Sequence, residues 1–149
     1  MNIGVVGGTK CSKKTYQEAQ RLGELVAQEG WVLVCGGGSG VMEAACRGAK
    51  QKGGLTAGIL PSIDGREANN YLDFKMPTGL GYARNFLLIR SADIVVAFKG
   101  KYGTLSEIAF AFGENKKVIG FKTWAVKGII KAKSILEIIK LIKRYTKKS

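Results

Sequence analysis

The feature that most constrains the fold is a segment in which an apolar run is followed by a glycine-rich turn and then by a helix. Residues 94–98, Ile-Val-Val-Ala-Phe, have the length and composition of a buried parallel strand. Gly100 and Gly103 predict a turn, and Thr104 is predicted to begin a helix. The first N–H groups of such a helix point to the carboxyl edge of the sheet, where the helix dipole adds positive charge. The segment therefore predicts an α/β fold with an anion site at this helix start.

The same order of strand, turn and helix recurs through the chain. Strands are predicted at residues 3–6, 31–35, 55–60, 72–76, 93–98 and 117–121. Helices are predicted at residues 14–29 and 41–52, from residues 82 and 104, and at residues 134–147, where Ser134 is the expected N-cap and the last turns are basic. This alternation is typical of a parallel sheet with helices on both faces. We therefore interpret residues 1–149 as one Rossmann-like, doubly wound domain with a mainly parallel sheet of about six or seven strands.

Three glycine-containing turns are predicted to meet at the carboxyl edge of this sheet. Residues 36–40, Gly-Gly-Gly-Ser-Gly, would expose backbone N–H groups to phosphate oxygens without interference from Cβ atoms. The turn is neither a P-loop, since no Gly-Lys-Ser/Thr follows, nor a dinucleotide fingerprint, since position 41 is Val. The alternative is that the glycines serve only a tight turn and close helix packing. The residues predicted to bind phosphate or ligand are Gly7, Gly8, Thr9, Gly36, Gly37, Gly38, Ser39, Gly40, Asn85, Gly100, Gly103 and Thr104.

Two charged residues, Arg84 and Glu107, are predicted to lie at the same edge. Arg84 is in the first turn of the helix after the fourth strand, and Glu107 is near the start of the helix after the fifth. Two interpretations of Glu107 compete. Thr104-x-x-Glu107 has the pattern of a capping box, whereas a carboxylate beside an anion site could act on a bound phosphorylated ligand. One carboxylate could serve both purposes.

Composition narrows the possible chemistry. The chain has no histidine, which excludes Ser-His-Asp and Cys-His nucleophiles, and its three cysteines form no C-x-x-C pair. No metal site is therefore predicted, and the thiols are expected to be reduced and mostly buried. No apolar run approaches the roughly 20 residues of a membrane span, and no signal-peptide pattern is present. We expect a cytoplasmic protein without membrane contact.

The net charge of +13 is distributed unevenly. Residues 127–149 contain eight Lys or Arg against Glu137 alone, which gives +7. The simplest interpretation is a solvated helix face with a basic end. Nucleic-acid contact is possible but less favoured, because the sequence contains no aromatic-rich basic stripe.

Two predicted helices are apolar around their whole circumference. Residues 86–89 and 108–112 leave no polar stripe for water, so we expect a homodimer or a higher homo-oligomer in which these helices pair. The alternative is that the connection at residues 122–128 covers the second helix.

Four motifs give the chain a family resemblance. G-G-G-S-G-V-M-E-A-A, G-G-L-T-A-G-I-L-P, Y-A-R-N and Y-G-T-L-S-E, within residues 1–124, resemble the LOG-type, "lysine decarboxylase-like" Rossmann superfamily (SLOG). The resemblance is to the branch of the molybdenum cofactor carrier proteins and their DprA/Smf-related relatives. It implies a homodimer and no decarboxylase activity.

The resemblance also implies roles for the two charged residues. In LOG-type enzymes a motif Pro-Gly-Gly-x-Gly-Thr-x-x-Glu carries a catalytic glutamate, which Glu107 matches, and Arg84 matches the arginine opposite it. Lys99, Lys101 and Asn85 depart from the pattern, replacing its proline, its second glycine and a lysine.

Two functions therefore fit the sequence. The first is binding of a phosphorylated nucleotide-like ligand, with hydrolysis of the N-glycosidic bond of a nucleoside 5′-monophosphate by Arg84 and Glu107. The alternative is a non-catalytic carrier for molybdenum cofactor or another phosphorylated pterin or nucleotide. Neither function requires a further cofactor.

Overall fold

The computed structural model describes residues 1–146 and has a seven-stranded sheet in which every pair of neighbouring strands is parallel. The strands are β1 (Asn2–Val6), β2 (Val32–Cys35), β3 (Thr56–Leu60), β4 (Phe74–Pro77), β5 (Ile94–Ala97), β6 (Val118–Gly120) and β7 (Ile130–Lys131). The helices are α1 (Lys13–Gln28), α2 (Val41–Gln51), α3 (Arg84–Ser91), α4 (Tyr102–Gly113) and α5 (Ile135–Thr146), with a 3-10 helix at Gly81–Ala83. The predicted doubly wound α/β fold is confirmed.

The strand order reverses between β1 and β5. The order across the sheet is β4-β3-β2-β1-β5-β6-β7, so the chain builds outward from β1 on one side and then returns to place β5 on its other side. Ile3 pairs with Leu33 of β2 and with Ile94 of β5. Ligands of open parallel sheets bind at such a reversal, beyond the carboxyl ends of the strands. The turns that follow β1 and β5 lie at this position.

Each face of the sheet buries its own apolar layer. One layer joins Ile3 and Leu33 to α1, α2 and α5, and the other joins Val95 to Ile108 of α4 and Leu88 of α3. Because α3 and α4 share the second face, their starts lie next to each other at the carboxyl edge of the sheet. This arrangement brings the first residue of α3, Arg84, close to α4.

The start of α4 differs from the predicted one. The helix begins at Tyr102, two residues before Thr104, and its N-cap residue Lys101 makes no side-chain capping hydrogen bond. Thr104 is therefore inside the helix, and Glu107 lies beyond the first turn, too far along the helix to cap it. The capping-box interpretation is wrong.

The C-terminal helix begins as expected, because Ser134 Oγ accepts a hydrogen bond from the N–H of Glu137 at 3.2 Å. Its predicted end at residue 147 and the last two basic residues, Lys147 and Lys148, lie outside the described residues. In residues 1–146 no helix is long and apolar enough to cross a membrane. Cys35 and Cys46 are buried, and Cys11 is half-buried.

Candidate functional site

The three predicted turns do meet at the strand-order reversal. The N–H of Gly8, after β1, donates to the carbonyl of Lys99, after β5, at 2.9 Å. Ser39 Oγ, after β2, donates to the carbonyl of Thr9 at 2.9 Å. These two bonds tie the ends of β1, β2 and β5 together at the reversal, where open parallel sheets bind their ligands. We call this place, beyond the carboxyl ends of the three strands, the edge crevice.

The turn at residues 36–40 is held from both sides by the protein. On one side Gly40 has a φ of 66°, and a Cβ there would lie 2.3 Å from the carbonyl oxygen of Gly8, which accepts the N–H of Val41 at 3.0 Å. On the other side the Asn69 side-chain amide donates to the carbonyls of Gly37 and Gly38, at 3.3 and 2.9 Å. Close packing therefore accounts for Gly40, as the alternative interpretation of these glycines requires.

Part of the same turn remains available to a ligand. Among residues 1–146, the backbone N–H groups of Gly38, Ser39 and Gly40 have no protein acceptor, whereas that of Gly37 donates to Cys35 Sγ at 3.3 Å. A Cβ on Gly38 would meet only the flexible end of Met42. The turn is thus both a packing element and a short row of unpaired donors.

The start of α4 is more open. The N–H groups of Tyr102, Gly103 and Thr104 donate to no protein acceptor within residues 1–146, and a Cβ on Gly103 would meet only the edge of the Tyr82 ring, at 3.6 Å. Gly100 is more confined, because a Cβ there would lie 2.0 Å from Thr104 Oγ1. The first turn of α4 therefore presents three unpaired donors beside the edge crevice.

Arg84 and Glu107 face each other between these two turns. Arg84 Nη1 lies 3.8 Å from Glu107 Oε1, and Arg84 Nη2 donates a long hydrogen bond of 3.5 Å to the carbonyl of Gly36. A Cβ on Gly36 would lie 2.6 Å from Nη2, so a larger residue at position 36 would displace the guanidinium from this place. Arg84 Nε is buried and has no partner among the described residues. The pair is held near the crevice without being fully satisfied by the protein.

The electrostatics of Glu107 follow from its burial. The residue is 6% exposed, and its carboxylate accepts no hydrogen bond from residues 1–146. Burial raises the pKa of Glu107 to about 7, and the charge of Arg84 lowers it only in part. An acid with a pKa near neutrality can both give and take a proton at physiological pH.

Asn85 directly follows Arg84 in α3. It is buried between α3 and α4, where its side-chain amide donates to Ser106 Oγ at 3.0 Å, and Ser106 Oγ donates to the carbonyl of Gly103 at 2.6 Å. The structure therefore connects Asn85 to the first turn of α4, and its buried Oδ1, like Arg84 Nε, has no partner among the described residues.

Sequence reasoning missed two features of the crevice. Asn69, which fixes the turn at residues 36–40, lies in a polar loop with no motif of its own. Tyr82, Tyr102 and Trp124 cluster around the start of α4, beside Lys101, whose carbonyl accepts the Trp124 indole N–H at 3.2 Å. No aromatic-rich stripe is visible in the sequence because these three rings come from separate segments.

Comparison with known proteins agrees with this architecture. A model of the SLOG cluster4 family matches residues 1–147, and the chain belongs to that family. The molybdenum cofactor binding protein of Rippkaea orientalis has 39% identity and a TM-score of 0.91, with 97% of this chain and 96% of that protein covered. The Moco carrier protein of Chlamydomonas reinhardtii has 31% identity and a TM-score of 0.88, with 99% and 98% covered.

A more distant relative belongs to the LOG-type enzymes. The probable cytokinin riboside 5′-monophosphate phosphoribohydrolase LOGL5 of Oryza sativa is 33% identical over 106 residues, which are 68% of this chain. The match spans 43% of that enzyme's length. The resemblance inferred from the four sequence motifs is thus confirmed at the level of the superfamily.

Proposed function

We propose that this protein is a carrier that holds a phosphorylated pterin of the molybdenum-cofactor type in the edge crevice. The observation that carries the proposal is the set of unpaired N–H donors on two turns, Gly38 to Gly40 and Tyr102 to Thr104, at the strand-order reversal. Such donors at helix starts suit the oxygens of a phosphate group. The likeness over nearly the whole chain to a molybdenum cofactor binding protein supports a pterin as the remainder of the ligand.

The residues around the crevice fit an anionic cargo. Arg84 Nε lacks a partner among the described residues, and Lys10, Lys99 and Lys101 are exposed on the turns after β1 and β5. A phosphate next to the unpaired N–H groups would gain hydrogen bonds that do not compete with bonds inside the protein. The cargo would supply its own metal chemistry elsewhere, and this chain would bind, orient and shield it.

A pair of variants tests the phosphate site. Gly38→Leu places a side chain over the donors of residues 38–40, whereas Gly113→Ala adds a methyl group in open space at the far end of α4. We expect 6-hydroxymethylpterin monophosphate to raise the unfolding temperature of the wild type and of Gly113→Ala but not of Gly38→Leu. At 100 times the Kd the stabilisation is about 2.7 kcal/mol. An equal shift with 6-hydroxymethylpterin, which lacks phosphate, would contradict the proposal.

The Arg84–Glu107 pair favours a second candidate function, hydrolysis of the N-glycosidic bond of a nucleoside 5′-monophosphate. The hydroxyl of a water molecule would add to the anomeric carbon while the bond to the base breaks, and the water's proton would pass to the departing base, giving ribose 5-phosphate and the free base. Glu107 would orient that water and stabilise the oxocarbenium-like transition state, and Arg84 would bind ribose-phosphate oxygens. The raised pKa of Glu107 suits proton transfer near neutral pH.

Turnover separates the two candidates. The wild type is incubated with a panel of nucleoside 5′-monophosphates, and ribose 5-phosphate is measured. A hydrolase would release it, and Glu107→Gln, which keeps the size of the side chain, would lose most turnover while still binding the nucleotide. A carrier would release none from any nucleotide in either form, and that result would remove the hydrolase candidate.

A further inference from the structure

We propose that Tyr82 and Tyr102, with Trp124 packed beside Tyr102, hold the planar ring of the ligand by stacking. We call these three side chains the aromatic rim. The ligand ring is then a bicyclic heterocycle of the pterin or purine type, recognised through its face. This inference rests on the proposed function of the edge crevice, and it names the residues that would select the ring.

The aromatic rim surrounds the unpaired donors of α4. Tyr102 is the first residue of the helix, and the Tyr82 ring lies against Gly103, as the 3.6 Å approach to a Cβ there shows. The rings of Tyr102 and Trp124 have centroids 6.0 Å apart and are inclined by 33°. The Trp124 indole N–H donates to the carbonyl of Lys101, which fixes that ring next to the helix start. A ligand whose phosphate meets the first turn of α4 therefore has aromatic faces within reach of its ring.

The exposure of these rings is unusual for this chain. Tyr82 is 82% exposed and Tyr102 is 79% exposed, whereas the other three of the five tyrosines are half-buried. Both exposed tyrosines flank the same helix start, and Tyr82 directly follows Gly81, which has a φ of 55°. Single exposed aromatic residues are common on protein surfaces, but a cluster beside polar donors is a feature of ligand sites.

A second, independent observation supports a ligand site here. The Glu107 side chain on the same helix is 8% exposed and accepts no hydrogen bond within residues 1–146, and its neighbour Arg84 has a buried Nε without a partner. Buried polar groups in proteins normally find partners. Two charged groups that have only a long ion pair, a long hydrogen bond and an unpaired Nε, on α4 and the neighbouring α3, indicate that a bound molecule completes the site.

The experiment compares ligands with and without a ring. The probes are 6-hydroxymethylpterin monophosphate, GMP and ribose 5-phosphate, which share a phosphate, whereas only the first two carry a bicyclic ring. Their affinities are measured by calorimetry for the wild type and for Tyr82→Ala, Tyr102→Ala and Tyr102→Phe. Phe74→Ala removes an exposed ring from β4, on the edge of the sheet, and is the matched control.

We expect both tyrosine-to-alanine variants to bind the ring-bearing probes about tenfold or more weakly while binding ribose 5-phosphate unchanged. Tyr102→Phe and Phe74→Ala should match the wild type for all three probes. Whichever ring-bearing probe binds more tightly tells whether the ring is a pterin or a purine. If the alanine variants bind both ring-bearing probes as tightly as the wild type, the stacking role of the aromatic rim is wrong, whereas the proposed function stands. If the wild type binds none of the three probes, the proposed function is wrong as well.

Fluorescence gives a second measurement on the same site. The chain has two tryptophans, so Trp31→Phe leaves Trp124 as the sole indole reporter. Stacking of GMP at the rim should quench its emission, and ribose 5-phosphate should not. Equal quenching by both probes would overturn the stacking role. So would tight binding of an oligodeoxythymidylate that Tyr102→Ala abolishes while GMP does not bind, since the rim would then serve single-stranded nucleic acid.

Discussion

The start of α2 and the start of α4 both follow a buried strand and a glycine-containing turn, yet the protein fills the surroundings of one and leaves the other open. Before α2, Gly40 packs against the carbonyl of Gly8, and Asn69 holds the carbonyls of Gly37 and Gly38. Before α4, the N-cap Lys101 makes no side-chain cap. The exposed Tyr102 follows it directly.

The difference shows that a glycine-rich helix start is not in itself a ligand site. At the α2 start, Gly40 allows the turn after β2 to pack against the turn after β1. Only the N–H groups of residues 38–40 in that turn have no acceptor among the described residues. At α4 one glycine faces Thr104 and the other faces only the Tyr82 ring. The α2 start therefore fixes the floor of the edge crevice, and the α4 start provides the wall that a ligand can reach.

The largest effect on stability is expected from adding a methyl group to Gly40, at the closely packed start of α2. In Gly40→Ala the Cβ would lie 2.3 Å from a backbone oxygen, and the φ of 66° would strain an alanine. We expect a loss of about 3–5 kcal/mol in the free energy of unfolding, measured by urea denaturation. Gly53→Ala is the control, because Gly53 has a φ of 70° with nothing near its Cβ position, so only the backbone term of about 1 kcal/mol applies. Equal losses in the two variants would mean that the α2 start is not tightly packed.

The next effect concerns the buried acid between the two helix starts. The pKa of Glu107 is raised from 4.5 to about 7 in the folded protein, so between these values the folded chain binds a proton that the unfolded chain releases. The stabilisation is fully present below pH 4.5 and is lost as the pH rises through 7. Relative to Glu107→Gln, the wild type should lose of the order of 3 kcal/mol of unfolding free energy over that interval. Parallel pH profiles of the two proteins would contradict the burial of an ionisable Glu107 at this position.

A smaller effect, on self-association rather than on folding, is expected from the exposed side of α4. Phe112, Val126 and Ile129 all pack against the same apolar layer, and a Cβ on Gly128 would lie 3.3 Å from the Phe112 ring. The connection at residues 122–128 therefore lies against that side of α4, as the alternative to oligomerisation supposes. Phe110 remains 37% exposed, with the Phe86 ring 5.4 Å away and Leu87 exposed beside it on α3. We predict that a two-fold partner covers this remaining surface.

Phe110→Glu should therefore weaken dimerisation about a hundredfold, or about 2.7 kcal/mol, as followed by sedimentation velocity. Leu136→Glu, at an exposed apolar residue of α5, is the matched control and should have no effect. A wild type that remains monomeric at high concentration would contradict the predicted partner.

Much of the fold could be predicted from the sequence, because the central strands are short, mainly apolar runs followed within three residues by glycine or proline. The proximity of Arg84 and Glu107 was also predictable, since both follow strands that end at the same edge. The start of α4 was not, because Thr104-x-x-Glu107 imitates a capping box while the helix begins two residues earlier without a side-chain cap. The aromatic rim and Asn69 could not be predicted either, since long-range packing brings them to the edge crevice from separate segments.

The smallest effect on stability is expected on the open side, from Gly103→Ala. Its Cβ would make only an ordinary contact with the Tyr82 ring, and alanine is a better helix former than glycine. The free energy of unfolding should change by no more than about 0.5 kcal/mol, in the stabilising direction. The same methyl group narrows the approach to the N–H groups of residues 102–104, so the affinity for 6-hydroxymethylpterin monophosphate should fall even though the fold is intact. Calorimetry and urea denaturation on one preparation separate the two properties.

A loss of stability comparable to that of Gly40→Ala would show that the α4 start is as closely packed as the α2 start. Full affinity together with full stability would place the phosphate on the α2 donors alone.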